Sequence, residues 1–353
     1  MLPSNPQDIF PDLDQPGISH DLSKADFYSA AGKSENTERA FTSSIKHYRD
    51  WGGMLPAGAD EVRAYLGHFA GQLKVSTLRQ RLNQISKWHK RQCFPDPTVD
   101  ELVKRTMRGI SKLHQTQTKQ AYPLKFQHLL GICDRLEAAK IAAISENSQV
   151  DILRIHRDLA LILIGFWHGF RSDELSRLRA EHITANRRQG ITVFLPYSKT
   201  DTQGDGKSYQ MDGLLAYCPA SAYLDWIQVA GINAGPVFRQ ISRWGVLGLD
   251  QINKHSIERI LNRVAVDLFP DEPKFSTHSL RRGFADWAVN EGWDLKTLMG
   301  HVGWKSVESA QRYMPSRKSF GALSTGSGSG ALANEPEMPG AGSVLLAAYA
   351  RVD

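Results

Sequence analysis

The sequence contains few of the residues that build disulfide or metal sites. Its 353 residues include three cysteines, and Cys93, Cys133 and Cys218 are far apart, so we predict neither a disulfide framework nor a zinc finger. The 12 histidines form no H-E-x-x-H motif, and no serine lies in a G-x-S-x-G motif, which argues against a zinc enzyme and a hydrolase triad. We expect a reducing compartment, no metal and no cofactor.

Long apolar runs are also absent. The longest run, Leu159–Phe170 (LALILIGFWHGF), is shorter than the roughly 20 residues that a membrane-spanning helix needs, and it contains a histidine. The N-terminal residues 1–17 (MLPSNPQDIFPDLDQPG) show no basic region followed by an apolar one, so no secretory signal is predicted. We therefore expect a cytoplasmic protein with no membrane partner.

Charge is unevenly distributed along the chain, whose formal net charge is +6. Residues 33–125 carry 17 Lys and Arg against 8 Asp and Glu, whereas residues 126–313 carry 22 against 21. A basic segment beside a nearly neutral one predicts a polyanion partner for the basic segment, although a solvated basic face would give the same counts.

The basic segment has the periodicity of a helical domain. Residues 1–33 are acidic and proline-rich and predict an irregular segment, and four amphipathic helices follow within residues 34–115. The third helix, VSTLRQRLNQISKWHKRQ, turns Leu78, Ile85 and Trp88 inward. Its other faces carry the basic residues Arg79, Arg81, Lys87, Lys90 and Arg91, which are candidate DNA contacts.

A second domain follows an aperiodic stretch that ends in proline. We place the linker at residues 116–124, the second domain at 125–319, and a Gly/Ser-rich tail with a short apolar end at 320–353. The alternating segment ITVFLPY and the glycines after it predict a β-hairpin. Helices are predicted at about 125–139, 151–169, 219–230, 254–267, 277–291, 294–299 and 306–313.

Two H-x-x-R pairs are candidates for phosphate binding. His278 and Arg281 share one face of a predicted helix, and two cationic donors on one face suit a phosphate. The pattern is weak alone, because His168 and Arg171 repeat it. Arg171 follows the apolar helix, where a buried arginine needs an anion or a carboxylate. Glu174 can brace it, and a purely structural ion pair is the alternative.

The remaining candidates are lysines of the hairpin, a histidine and a tyrosine. Lys199 at the hairpin tip can reach into a cleft, Lys207 is the other candidate, and a mobile surface lysine is the alternative for both. The segment GKS lacks the glycine that a phosphate-binding P-loop requires. His301 is predicted in a Gly-rich turn between helices. Tyr313 follows twelve residues later and ends an amphipathic stretch, where half-buried packing is the alternative.

Taken together and in this order, these residues resemble the tyrosine recombinase (phage integrase) family over about residues 34–315. The segments GFRSDELSRLRAEHI, THSLRRGFA, LMGHVGWKSVESAQRYM and VSTLRQRLNQISKWHK carry the resemblance. It implies a mainly α fold, with an N-terminal helical bundle (a SAM-like core-binding domain) and an α+β catalytic domain containing a small antiparallel sheet. The two domains of the family clamp double-stranded DNA from opposite sides.

The resemblance also implies an activity and a set of roles. The activity is site-specific recombination of DNA (integration or excision) by a homotetramer, through a covalent 3′-phosphotyrosyl intermediate, on chromosomal or mobile-element DNA. By position, the residues around the scissile phosphate are Arg171, Lys199, His278, Arg281 and His301, with Tyr313 as nucleophile and Glu174 as supporting carboxylate. Two alternatives remain open: a DNA-relaxing enzyme like the type IB topoisomerases, and a catalytically inactive DNA-binding regulator.

The apolar end of the tail, SVLLAAYARV, suggests a contact between protomers, because a flexible tether would let it dock on a neighbouring copy. Disorder of the tail is the alternative. If the tail docks, a chain that lacks residues 321–353 should cleave DNA as a single protomer but assemble less well, as measured by sedimentation of the DNA complex. Unchanged assembly and recombination by the truncated chain would reject tail exchange.

Overall fold

The computed structural model describes residues 35–115, 120–198 and 205–313, together with Lys24, Phe27, Tyr28 and Gly32. The chain divides into two compact units, residues 1–119 and 120–353, and each is described by itself. The division lies inside the linker predicted at residues 116–124. The predicted tail, residues 320–353, lies outside the described residues, as does nearly all of the predicted N-terminal segment.

The first unit is helical over its described residues. Its α-helices are α1 (Glu35–Asp50), α2 (Ala59–Phe69), α3 (Val75–Arg91) and α4 (Glu101–Leu113), with a 3₁₀ turn at Pro97–Val99. Tyr48, Leu66, Leu78 and Ile85 are fully buried at the centre of these helices. Helix α4 begins where the Asp100 carboxylate accepts a hydrogen bond from the Leu102 N–H at 2.7 Å, which satisfies one of the unpaired donors of its first turn. The bundle is therefore held by packing of the apolar helix faces, and the cap stabilises the start of α4.

The second unit combines helices with two small antiparallel sheets. Its elements are α5 (Phe126–Ser145), α6 (Gln149–Trp167), α7 (Ser172–Ser176), β1 (Ile183–Asn186), β2 (Gly190–Leu195), β3 (Lys207–Met211), α8 (Pro219–Ala230), β4 (Arg239–Ile241), β5 (Leu247–Gln251), α9 (Lys254–Ala265), α10 (Thr277–Asn290), α11 (Leu295–Val302) and α12 (Val307–Gln311). Strand β2 pairs antiparallel with both β1 and β3, and β4 pairs with β5. The predicted fold class, mainly α with a small antiparallel sheet, is confirmed.

Helix α6 is the centre of the second unit. Every residue from Ile155 to Trp167 is buried, and from Leu159 onward the helix is apolar all round, as in a helix that others enclose. Its buried Asp158 accepts hydrogen bonds from Arg157 at 2.8 Å and from Arg263, because a lone buried carboxylate would be costly. None of the described helices combines the length and apolar composition that a membrane crossing requires.

Helix α10 lies very close to the segment that precedes α5. The Leu124 N–H donates to the Ser279 carbonyl at 2.9 Å. A Cβ added at Gly283 would lie 1.8 Å from the Leu124 carbonyl oxygen, so the approach depends on a residue without a side chain. Helix α10 carries two of the candidate site residues, and this contact fixes its position in the unit.

Replacing Gly283 with alanine should therefore lower the free energy of unfolding by about 3 kcal/mol, the scale of overpacking in a dense core. Equilibrium unfolding in urea measures the change. Gly300→Ala in α11 is the matched control, because a Cβ there meets nothing within 4 Å and should leave stability unchanged or slightly higher. Equal stability of the two variants would contradict the proposed close contact.

Candidate active site

Arg171 lies between α6 and α7 and is tied to Glu174. The Arg171 backbone N–H donates to Glu174 Oε2 at 2.8 Å, and the guanidinium Nη1 donates to Glu174 Oε1 at 2.6 Å. The Glu174 side chain is 4% exposed and that of Arg171 is 23% exposed. Glu174 therefore holds Arg171 from the protein side, while part of the guanidinium still faces solvent.

Arg281 lies on α10 and is 4% exposed. Its Nη1 donates to the Gly169 carbonyl at 2.7 Å, whereas its buried Nη2 has no hydrogen-bond partner among the described residues. Burial and the positive charge of Arg171 lower the pKa of Arg281 to about 10. Two guanidinium groups thus lie close enough to repel each other, and one of them has a donor without an acceptor. An anion would correct both conditions.

His301 lies within helix α11 and not in a turn, so its predicted placement between helices is wrong by about two residues. Its Nε2 lies 2.8 Å from the Trp167 carbonyl oxygen, and because a carbonyl can only accept, Nε2 carries the proton. The ring stacks on Phe284 at 4.7 Å between centroids. Burial, with a smaller contribution from Lys207, lowers the pKa of His301, so the ring is neutral at pH 7.

Of the two candidate hairpin lysines, the structure describes Lys207. Lys199 lies outside the described residues. Lys207 begins strand β3, and its Nζ donates to the Gly300 carbonyl and lies 4.7 Å from the centre of the Tyr209 ring. Burial and the charge of Arg281 lower the pKa of Lys207. Lys207 is therefore a cation of the same site as Arg281 and His301.

Tyr313 follows the end of helix α12. Its ring stacks on Trp304, with 4.9 Å between centroids and an angle of 12° between planes, and the Arg282 guanidinium carbon lies 5.3 Å from its centre. The same Trp304 ring lies 5.3 Å from the Arg281 guanidinium carbon. One indole therefore contacts both the predicted nucleophile and the predicted phosphate-binding arginine.

His278 lies in the first turn of α10, one turn before Arg281. It is exposed, unlike Arg281 on the same helix. Since residues three apart share a helix face, the pair places an exposed imidazole above a buried guanidinium.

Three residues of the site have no obvious sequence signal. Tyr209 is 8% exposed and packs its ring edge on Phe170 at 5.1 Å, and Trp304 lies 5.3 Å from the Arg281 guanidinium carbon. Gly169 has φ of +59°, a conformation that glycine adopts readily, and it turns its carbonyl toward Arg281. Only the Gly-Phe break before Arg171 indicated this turn in the sequence.

The basic residues predicted to contact DNA all lie on α3, and two of them pair with one carboxylate. Arg91 contacts Glu38 at 2.5 Å, and Lys87 lies 3.7 Å from the same carboxylate. The Arg91 guanidinium also lies 4.4 Å from the centre of the Phe41 ring. Glu38 therefore offsets part of the positive charge at this end of α3.

The other three residues predicted to contact DNA also have partners in the first unit. Arg79 donates to Ser111 Oγ at 2.9 Å, and Arg81 donates to the Tyr65 hydroxyl at 3.3 Å. Lys90 lies 3.3 Å from the Asp96 carboxylate. Their contact with DNA remains a prediction, and it would have to compete with these interactions.

Across the described ranges, no group of three or more His, Cys, Asp or Glu side chains is arranged to hold a metal ion. The candidate site consists instead of Arg171, Arg281, Lys207, His301, His278 and Tyr313. Such a set can bind an anion, donate hydrogen bonds to its oxygens and present a phenol to it.

Comparison with known proteins identifies relatives of this chain. The model of the phage integrase family matches residues 134–319. An integrase/recombinase xerD homolog of Selenomonas ruminantium is 29% identical over 292 residues, covering 80% of this chain and 82% of that protein. Tyrosine recombinase XerD of Rhizobium meliloti (strain 1021) is 23% identical over 297 residues, covering 83% and 88%.

Two solved structures share the fold. The XerH site-specific recombinase bound to palindromic difH substrate has a TM-score of 0.52 at 17% identity, covering 72% of this chain and 68% of that one. A lambda integrase dimer bound to a COC′ core site has a TM-score of 0.51 at 14% identity, covering 86% and 79%. Because the family model matches more than half of the sequence, the chain belongs to the phage integrase family of site-specific tyrosine recombinases.

Proposed function

We propose that this recombinase cuts and rejoins double-stranded DNA through a covalent 3′-phosphotyrosyl intermediate, with Tyr313 as the nucleophile. One observation carries the proposal: the buried Arg281 guanidinium has a donor without a partner among the described residues, and Trp304 contacts both this guanidinium and the Tyr313 ring. The positive charge of Arg171 also acts on Arg281. A phosphodiester placed there would accept hydrogen bonds from both arginines and lie within reach of the phenol. Each arginine can grip two phosphate oxygens.

The reaction is a displacement at phosphorus. The Tyr313 oxygen forms a bond to phosphorus, the bond from phosphorus to the 5′ oxygen breaks, and the energy of the ester is kept for rejoining. Negative charge grows on the non-bridging oxygens during attack. Arg171 and Arg281 stabilise this charge from fixed positions, which is how preorganised groups lower a barrier. Because the two guanidinium groups carry this charge, the reaction needs no metal.

Two proton transfers accompany the displacement at phosphorus. The phenol, whose unperturbed pKa is about 10, loses its proton to His278, and the departing 5′ oxygen takes a proton from a lysine. A bound phosphate also favours the charged form of His301. The imidazolium can then keep its hydrogen bond to Trp167 through Nε2 and donate to the phosphate through Nδ1.

Two lysines are candidates for the general acid. Lys199 has the position that the family resemblance assigns to the acid, and we propose it for that role. Lys207 is the competing candidate, because burial and Arg281 lower its pKa toward the range in which an acid works best at neutral pH.

The partners follow from the family and from the charge of the chain. Solved relatives include XerH and lambda integrase bound to their DNA sites and a Tn1549 transposon integrase in complex with a circular intermediate DNA. We propose double-stranded DNA as the partner, bound as a homotetramer on chromosomal or mobile-element DNA in the cytoplasm. The core-binding unit at residues 34–115 and the catalytic unit at 125–319 would both contact it. Relaxation of plasmids that lack a specific site would favour a topoisomerase instead.

The cleavage roles can be tested with nicked duplexes, in which loss of a short strand prevents rejoining. The substrate is first selected from duplexes of randomised sequence around a fixed nick, by isolating the protein–DNA adducts that are stable in SDS. Arg171→Ala and Arg281→Ala should each slow adduct formation by about 10²–10³-fold, the effect of removing one oxyanion donor, while most DNA affinity remains. The measurement is the rate of adduct formation with and without EDTA, which should have no effect.

Two variants serve as controls for that experiment. Tyr313→Phe should give no adduct, and Arg188→Ala, an exposed arginine outside the site, should cleave at the wild-type rate. Parallel loss of DNA binding and cleavage in the Arg171 and Arg281 variants would count against their assigned roles. An adduct formed by Tyr313→Phe would remove the tyrosine from the mechanism, and a wild-type chain that binds DNA without any adduct would indicate the inactive regulator.

A sulfur substitution separates the two lysines. A 5′-bridging phosphorothiolate has a thiolate leaving group, which departs without being protonated because thiols are far more acidic than alcohols. The selected duplex carrying this sulfur should therefore restore fast cleavage to the variant that lacks the general acid. We expect Lys199→Ala to be restored and Lys207→Ala to remain slow. The reverse pattern would assign the acid to Lys207, and no restoration of either would mean that neither lysine is the acid.

A further inference from the structure

Trp304 lies between the phosphate-binding arginine and the nucleophile. Its ring is 5.3 Å from the Arg281 guanidinium carbon, and it stacks nearly parallel on the Tyr313 ring at 4.9 Å. Trp304 is half-buried and packs against the core of the second unit. One aromatic ring thus contacts both Arg281, the proposed phosphate-binding residue, and Tyr313, the proposed nucleophile.

The backbone fixes where this indole stands. Gly303, the residue that caps the end of helix α11, has φ of +72°. The N–H groups of Gly303 and Trp304 both donate to the Met299 carbonyl, at 2.9 and 3.0 Å. A Cβ at Gly303 would lie 2.7 Å from the Tyr209 hydroxyl, so the turn sits tightly against strand β3. Trp304 is therefore carried by a well-defined helix end.

Tyr313 is held mainly by contacts of its ring. Its N–H donates to the Ala310 carbonyl at 3.0 Å, which anchors the backbone two residues beyond the end of α12. Its ring contacts Trp304 and Arg282. Loss of the indole would remove the aromatic face on which the phenol stacks and so widen the rotation of the phenol about its side-chain torsions.

We infer that Trp304 is a positioning residue: its ring holds the Tyr313 phenol in place beside Arg281, so that attack on a bound phosphate starts from a restricted geometry. The inference rests on the proposed function. Stacked aromatic pairs favour an offset parallel arrangement, and this preference fixes the plane of the phenol. Misplacing a reacting group by about 1 Å can cost about 10²-fold in rate.

The test uses Trp304→Leu, which fills much of the space but offers no flat ring, and Trp304→Phe, which restores one. The full chain is assayed on the selected nicked duplex at saturating concentration, and DNA affinity and thermal melting are measured in parallel. We expect Trp304→Leu to slow adduct formation by about 10- to 100-fold, with DNA affinity changed less than about 2-fold. Trp304→Phe should regain most of the rate.

Trp244 supplies the matched control. It lies in the turn between β4 and β5, is 73% exposed, and contacts Arg243 with 4.4 Å from guanidinium carbon to ring centre. Trp244→Leu thus also removes an arginine–tryptophan contact but should leave the cleavage rate unchanged. A similar loss of cleavage rate in both variants would mean that Trp304→Leu acts by general destabilisation, and it would overturn the inference.

A modified phosphate separates action on Tyr313 from action on Arg281. A methylphosphonate at the scissile position carries no charge, so cleavage of it depends less on the guanidinium groups. Trp304→Leu should stay slow on this substrate, whereas Arg281→Ala should recover. Recovery of Trp304→Leu would mean that the indole acts through Arg281, and a faster rate than wild type would mean that the stack holds the phenol back. Either result would overturn the inference.

Failure of the two proposals can be told apart. If the wild-type chain forms no adduct with any nicked duplex, the proposed function fails and the inference fails with it. If the wild type reacts and Trp304→Leu reacts equally fast while folded, only the inference fails. If Trp304→Leu does not fold, Trp304→Phe decides, since a rate as low as that of Arg281→Ala in a folded chain would contradict a stacking role.

Discussion

The structure of the site depends on one buried charge, the Arg281 guanidinium. Glu174 is committed to Arg171 by two hydrogen bonds, so the neighbouring Arg281 relies on the Gly169 carbonyl, and its other terminal nitrogen has no acceptor among the described residues. A buried cation in this condition is unfavourable. A bound anion would relieve this unfavourable condition. A site built in this way is suited to an anion before any chemistry is considered.

The end of helix α6 organises this site. The last carbonyls of a helix have no partner within it, and here Trp167 accepts from His301 while Gly169, just beyond the end, accepts from Arg281. The negative end of the helix dipole also favours nearby cations. Arg171 follows directly after these residues, so its position depends on the same backbone. One buried helix thereby places three side chains that are separated by 130 positions in sequence.

Much of the fold could be predicted, because apolar periodicity and turn residues are local signals. The central helix, the β2–β3 hairpin and the spacing of Arg171 and Glu174 were all visible in this way. Spacing alone could not distinguish the two H-x-x-R pairs: His278 is exposed, whereas His168 is fully buried against Phe170, and burial lowers the pKa of His168 to about 3. The β4–β5 hairpin was missed because its strands are short and partly exposed. Contacts such as that of Lys207 with Gly300 join distant elements and leave no local pattern.

Under the proposed function, the same arrangement would make the buried arginines favour catalysis over mere binding. A bound phosphodiester carries one negative charge, and attack by a phenolate brings a second charge to the same oxygens. Two fixed guanidinium groups therefore interact more strongly with the transition state than with the bound DNA, and only such a difference speeds the reaction. The gain depends on where the second charge enters. In the proposed mechanism, Trp304, which stacks on Tyr313 and lies beside Arg281, would fix the direction of attack, while the two arginines would stabilise the charge.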